Sequence, residues 1–478
     1  MKNHSCRSLN ISPGGVREMV ALALPMVVSH SCDTVMTFTD RLFLSRLGPD
    51  MMNASMLGGL TAFMMMTFFL GLIGYSTALV AQYLGAGQPS RCAKVTTQAL
   101  LIAVAAYPLI LACRPLAHQL FVFMGISSGQ LAAQKVYFDI LLYAAIIGLG
   151  RGALSGFFSG IGRTRIVMAA SLTAMAVNVV GNYVLVFGKF GCPAFGIRGA
   201  AYGTIIGGAS GLLILVAAYL NKRNREEYHL GQAFHFDSGL MRQLLRLGMP
   251  TGCEMFLNLL AFDAIVMIFH AVGPVAATAS TIMFNWDMVS FVPLIGVEIG
   301  VTSLVGRYMG GRQPQIAHRA AISGLKLGLA FSAGILVLFI GFPAALVDLF
   351  HSGGNNALFI QAKPLAIFML RAASLYVLIE AVFVVFIGAL RGAGDTFWAM
   401  GLSVSLHWVL APVLFLMLRI WKMPVETGWL TVVFLFMLFS IFVYLRYQSG
   451  HWKKIQVVPI QAPGMARVID DFHETTDL

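Results

Sequence analysis

Apolar stretches of about 20 residues, the length that carries a helix across a bilayer, recur from Val16 to Leu445 with only brief polar breaks between them. Hydrophobic residues fill 58% of the 478 positions and charged residues 11%, and the mean hydropathy is +0.80. That leaves too little polar surface to coat a water-soluble globule, so most of the chain must face lipid. The breaks predict spans near 17–44, 54–82, 93–113, 132–160, 166–187, 196–220, 244–271, 276–308, 317–347, 363–389, 397–419 and 426–446. The expected fold is an all-α integral membrane protein of twelve transmembrane helices, and the lipid bilayer is its first partner. Met1 to Arg17 has no apolar core followed by a small-residue cleavage site, so the stretch reads as a cytoplasmic tail rather than a signal peptide.

The net charge of +12 does not point to a nucleic acid, because the basic residues sit in short clusters at the edges of apolar segments. Arg91 with Lys94, Arg163 with Arg165, Lys222 with Arg223 and Arg225, Arg307 with Arg312 and Arg319, and then Arg391 fall on alternate connections. By the positive-inside rule both termini are expected in the cytoplasm, with the chain multi-pass in the cell's inner (plasma) membrane. The six cysteines, Cys6, Cys32, Cys92, Cys113, Cys192 and Cys253, show neither CxxC nor Cys/His metal spacing. No metal, disulfide or other cofactor is expected.

An internal repeat organises the chain. LALPMVVSHSCDTVMTFTDRLFLSRLG runs parallel to LGMPTGCEMFLNLLAFDAIVMIFHAVG at an offset of 225, which sets Pro25 over Pro250 and Gly48 over Gly273. The same offset pairs AQYLGAGQP with GRYMGGRQP, so Tyr83 meets Tyr308, Gln88 meets Gln313 and Pro89 meets Pro314. Later the offset drifts to 232, pairing SGIGRT at 159–164 with RGAGDT at 391–396. Six spans therefore duplicate as six, and an even number per unit gives parallel repeats about an axis along the membrane normal, with the substrate pathway between them. The expected divisions are a cytoplasmic tail at 1–16, an N-lobe at 17–220, a basic linker at 221–243, a C-lobe at 244–446 and a second cytoplasmic tail at 447–478. A twelve-helix monomer suffices.

With the ALP entry to the first helix, FTDRLFLSRLG, LVAQYLGAGQP, FGIRGAAYGT, FVPLIGVEIGVTSLVGRYMG and LRGAGDT in this order, the chain resembles the multidrug and toxic compound extrusion (MATE) family from about Val16 to Leu445. The resemblance implies two six-helix lobes around a central cavity and exchange of H+ or Na+ for cationic drugs or metabolites. It also places Asp40 at the helix 1 aspartate used in coupling and Glu380 at a helix 10 carboxylate that helps bind the coupling cation. Asn178 and Asn182 fall in the helix 5 region of an N-lobe polar network, where many members carry aspartate or proline instead. Asn258 takes the position of the family's helix 7 carboxylate, which leaves the C-lobe site open.

An ionised side chain at mid-bilayer costs about 2.5–3.5 kcal/mol on insertion scales, so intramembrane acids are functional candidates by default. They are Asp33, Asp40, Asp139, Glu254, Asp263, Asp287, Glu298 and Glu380. Asp33 and Asp40, seven residues apart, share a face of the first helix with Ser29 and Thr37 close by, which predicts a polar seam along a cavity. Asn178 and Asn182 share a face of the fifth, either orienting Asp40 or fastening helices together. Glu254 lies one turn before Asn258, and with Asp287 and Glu380 these are expected to form one oxygen cluster suited to H+ or Na+. Glu298 shares a face of the eighth helix with Asp287 and lies between Gly296 and Gly300, which suggests close helix contact; a buried pair with Arg151 or Arg371 is the alternative. Tyr376, with Phe284, Trp286 and Trp408, either lines a cavity for lipophilic cations or fills core.

No GxxxxGK[ST] loop or soluble domain supports an ATP-driven pump, and neither HExxH nor GxSxG supports an enzyme. The sequence therefore points to a secondary antiporter that exports a small organic, cationic molecule. The rival is a flippase for lipid-linked sugars, disfavoured because the intramembrane charges are mainly acidic.

Overall fold

The computed structural model describes residues 12–123, 128–350 and 357–458, and every regular element among them is helical. Most of the two tails expected from sequence, Cys6 included, lies outside the described residues. The spans are α1 (Val16–Ser45), α2 (Asp50–Gly85), α3 (Pro89–Phe123), a bent α4 (Gly129–Tyr143 and Ala145–Gly160, meeting at 43°), α5 (Thr164–Phe187) and α6 (Ile197–Tyr219). After the linker come α7 (Ser238–His270), α8 (Pro274–Gly310), α9 (Pro314–Gly341), α10 (Ala357–Ala393), α11 (Thr396–Ile420) and α12 (Val425–Gln448). With the bent pair taken as one span there are twelve among the described residues, as the hydropathy predicts.

Two boundaries differ instructively from the sequence reading. α3 runs on past Cys113 to Phe123 because its polar residues there are satisfied laterally: Arg114 donates to both oxygens of Asp139 at 2.7 and 2.6 Å, and His118 lies 2.8 Å from the same carboxylate. This assigns Asp139 to an ion pair. α7 begins at Ser238, inside the stretch read as linker, where the Asp237 side chain caps the helix by accepting from the Leu240 amide at 3.0 Å. The rest of the linker is a short helix, Lys222–Glu227, and a 3-10 turn, Leu230–Gln232. It is held to the N-lobe by Arg163, which donates to Asn224 at 2.5 Å and to Glu227 at 2.9 Å.

The repeat is written into the backbone. Pro25 and Pro250 both lie inside helices, in α1 and α7. Gly48 and Gly273 both take positive φ, +129° and +155°, just before a proline that opens the next helix. Gly87 and Arg312 are both left-handed, at φ +71° and +57°, and the turns they make are closed by the same bond, Gln88 N–H to Tyr83 C=O at 2.9 Å and Gln313 N–H to Tyr308 C=O at 2.8 Å. Packing repeats as well: α1 lies on α5 and α8, while α7 lies on α11 and α2.

The lobes meet at the end that carries the linker. A Cβ on Gly85 would overlap the carbonyl oxygen of Arg307, and one on Gly310 would overlap that of Gln82; both pairs are related by the offset of 225. The same holds one level further in, where Gly71 presses on Thr251 and Gly252 and Gly296 presses on Val27. Small residues thus let backbones touch across the interface, the standard device where lipid removes the hydrophobic drive between helices. Polar bonds reinforce that end: Gln82 donates to Gly392 C=O at 2.7 Å, Ser303 to Ser159 C=O at 2.7 Å, Tyr83 to Gln243 at 2.7 Å and Tyr308 to Glu18 at 2.8 Å. The chain beyond α12 also crosses it: Trp452 is buried in the C-lobe, whereas Val458 packs into the N-lobe core.

Overfilling a packed contact costs about 1–3 kcal/mol. Gly85→Val and Gly310→Val should therefore lower the population closed at this end by roughly 5- to 150-fold. Spin labels straddling the Ser159–Ser303 contact would report it as loss of the short distance; an unchanged distance distribution in both variants would contradict the close-packing account.

Candidate functional site

The N-lobe site is built by the contact of α5 with α6. Gly199, Gly203, Gly207 and Gly211 form a stripe on α6, and α5 lies so close that a Cβ on Gly203 would overlap Asn182 Oδ1 and one on Gly207 would come within 2.8 Å of Asn178 Cβ. This buries Asn178 and Asn182 completely and turns both toward α1. Asp40, 7% exposed, receives a hydrogen bond from Asn182 Nδ2 on Oδ1, and Thr204 Oγ1 lies 2.8 Å from its Oδ2. Asn178 Nδ2 donates to Thr204 Oγ1 at 3.3 Å. The amide oxygens of Asn178 and Asn182 are buried without a hydrogen-bond partner. The amide nitrogens and the Thr204 hydroxyl thus converge on Asp40, while the Asn182 amide oxygen lies against Gly203.

Asp33 and Asp40 share a helix face, but not an environment. Asp33 keeps 50% of its side chain exposed and lies 3.6 Å from Arg151 on α4. Ser29 bonds Ser171 on α5 at 2.6 Å, and Thr37 returns its hydroxyl to the Asp33 carbonyl. The expected seam along α1 is therefore divided among three neighbours.

In the C-lobe the single expected cluster resolves into three groups. Tyr376 on α10 donates to Asp287 on α8, and Ser290 on α8 donates to Glu380 on α10 at 3.0 Å, so the two carboxylates are cross-braced between the same pair of helices. Tyr376 and Glu380 are 4% and 2% exposed, which places the tyrosine in the helix-packing core. Glu254 lies elsewhere, accepting from Arg391 Nη2 at 3.0 Å. Asn258 is separate again and donates to Ser403 Oγ on α11 at 2.7 Å, leaving its own oxygen buried and unbonded. Glu298 pairs with Arg391, not with Arg151 or Arg371. Among the described residues no group of three His, Cys, Asp or Glu side chains is arranged to hold a metal.

Sequence reasoning missed Thr204, Ser290 and Arg391. Thr204 carried a usable signal, since it follows Gly203 in the four-residue glycine spacing that marks the α5-facing side of α6. Ser290 and Arg391 carried none, because their roles depend on which faces of α8 and α10 meet.

Two six-helix lobes, each with carboxylates braced inside it, define a membrane transporter of the duplicated-lobe class. The family model described as MatE matches residues 25–184 and again 250–416, its two segments opening at Pro25 and Pro250. The chain belongs to the MATE family. It is 28% identical over 431 residues to a probable multidrug resistance protein NorM of Bradyrhizobium diazoefficiens, covering 89% of this chain and 91% of the relative. A protein of the same description from Thermotoga maritima is 25% identical over 448 residues, covering 92% and 94%. Among solved structures, an outward-facing multidrug resistance MATE family transporter of the MOP superfamily superposes with a TM-score of 0.84 at 19% identity, covering 95% of this chain and all of that one. A MOP superfamily transporter from Pyrococcus furiosus gives the same score and coverage. At that identity the two structures speak for the fold alone.

Gly203→Ala should push Asn182 off Asp40 while leaving the helix intact, because alanine is the better helix former. Infrared spectra of the purified protein should then show the Asp40 carboxylate bands shifted, and a change in those bands with Thr204→Val as well. Spectra identical to the parent in both variants would mean that the network is not held as described.

Proposed function

We propose that this chain is a secondary antiporter that exports small organic cations in exchange for Na+ or H+. Its membership in a family of multidrug efflux transporters makes it a drug-extruding membrane protein in the broad sense. The choice of a cationic substrate and a cation as driving ion rests on one observation above the others. Asp40, Asp287 and Glu380 are interior carboxylates braced only by neutral donors, Asn182 and Thr204, Tyr376, and Ser290, with no ion pair to any of the three among the described residues. Uncompensated negative charge inside a bilayer is stable only if a proton or a cation joins it or water reaches it. A flippase for lipid-linked sugars would need the opposite sign to hold phosphate.

At Asp40 the Asn182 amide and the Thr204 hydroxyl are hydrogen-bonded to the charged carboxylate, which supports a cation such as Na+ joining it. At Asp287 and Glu380 two neighbouring carboxylates favour any species that separates their charges, a proton or the substrate cation. Contact at the linker-bearing end supports an outward-open state, provided the termini are cytoplasmic in the plasma membrane. In that state the coupling ion reaches the carboxylates from outside, and its binding precedes the rocking of the lobes that presents the site to the cytoplasm. Ion and drug must bind in mutually unfavourable fashion for exchange to follow.

Asp40→Asn and Glu380→Gln each remove a charge that the ion must neutralise, and should reduce gradient-driven efflux of a fluorescent lipophilic cation from proteoliposomes by at least about tenfold, the equivalent of about 1.4 kcal/mol of lost coupling. Efflux equal to the parent in both variants, at equal incorporation, would show that these carboxylates do not couple transport.

A further inference from the structure

Arg391, near the end of α10, reaches inward to two carboxylates at once. Its Nη2 donates to Glu254 Oε2 on α7 at 3.0 Å, and its Nη1 donates to Glu298 Oε1 on α8. The side chains of Glu254 and Glu298 are only 6% and 14% exposed, and that of Arg391 is 20% exposed. Three charges are therefore enclosed where α7, α8 and α10 converge. They sum to minus one.

Among the described residues Arg391 is the only ion-pair partner of either glutamate, and no second cation pairs with Glu254 or Glu298. Tyr75 stands at the break in α2 of the opposite lobe, 1% exposed, and its hydroxyl is buried with no hydrogen-bond partner. That hydroxyl lies 3.8 Å from the position of a Cβ on Gly394, one turn beyond Arg391, so it points into the same corner. His407 on α11 is a further titratable group on this side of the lobe, and one of its ring nitrogens is engaged by the Ser403 carbonyl at 3.0 Å.

We propose that the Glu254–Arg391–Glu298 triad is a proton-binding site that holds a single proton shared between its two carboxylates. The proton converts one carboxylate to the neutral acid, while the guanidinium keeps its ion pair with the other. The donor is hydronium, whose O–H bond breaks as the carboxylic O–H forms and which leaves as water, and the triad becomes neutral. A metal cation is the poorer occupant, because it would enter beside a guanidinium of like charge, whereas a proton adds no separate charged centre. Tyr75 supplies a partner that either state can use, since its hydroxyl can accept from the acid or donate to the carboxylate. The site lies directly behind the face of α7 and α8 on which the N-lobe rests: Gly252 and Thr251 press on α2, and Gly296 and Gly300 press on α1. Its charge state is thereby felt where the lobes meet. None of this depends on which ion drives transport.

The test is infrared titration of the full-length protein in lipid, following the carbonyl stretch of protonated carboxylic acids. Glu254→Gln and Glu298→Gln each remove the surplus charge, so each should abolish the same single-acid component, and the double variant should lose no more than either alone. Both single variants keep a neutral Arg–Glu pair and are expected to fold. Asp40→Asn, Asp287→Asn, Glu380→Gln and His407→Gln should leave that component in place. An unchanged band in both single variants would overturn the site, as would additive losses amounting to two acids. Loss of the component in His407→Gln, with histidine shown charged by nitrogen-15 spectra, would place the proton on the imidazole and equally overturn it.

Discussion

Hydrocarbon tolerates a charge only when something nearby cancels it, and the organisation of this protein follows from how each buried charge meets that demand. Asp139 is cancelled by Arg114, and the pair lets α3 extend as far as Phe123. Asp395 is cancelled by Arg446 at 2.8 Å, which ties the start of α11 to the end of α12. Glu254 and Glu298 share one arginine. Asp40, Asp287 and Glu380 have neutral neighbours alone, and the function argued for this chain resides in that difference. On the proposed function, these three await a mobile cation.

The second constraint is geometric. Where lipid supplies no apolar driving force between helices, contact has to come from backbones that approach closely, and glycine marks each such place. The stripe on α6 brings Asn178 and Asn182 to Asp40, so the same residues that pack the N-lobe also assemble its polar site. Between lobes, Gly85 and Gly310, with Gly71 and Gly296, form two symmetric pairs that close one end of the molecule. Interfaces of this kind release as easily as they close, because they bury little that water or lipid would not accept. A rocking transporter needs that property.

Much of this was legible in the sequence. The offset of 225 between Pro25 and Pro250 announced the duplication, and the backbone at Gly48 and Gly273 or at Gly87 and Arg312 repeats it faithfully. Span number followed from hydropathy alone. What sequence could not supply was the rotation of one helix against another. Glu254 and Asn258 sit one turn apart on α7, yet the first faces α10 and the second faces α11, and helical spacing cannot divide them. Asp33 and Asp40 fall on one stripe of α1 but separate because Asp40 is enclosed by Asn182 and Thr204, whereas Asp33 stays half-exposed beside Arg151. Partners on distant helices, Thr204 and Ser290 among them, become visible only when those helices are packed.

The central claim is that Asp40, Asp287 and Glu380, carboxylates braced by neutral donors, couple the inward flow of a cation to the outward flow of a drug. The most direct measurement is efflux of a fluorescent lipophilic cation from proteoliposomes of the parent protein under Na+ and H+ gradients imposed one at a time. The account predicts efflux under at least one inward cation gradient and none when both are absent. Efflux at the same rate with and without either gradient would contradict it.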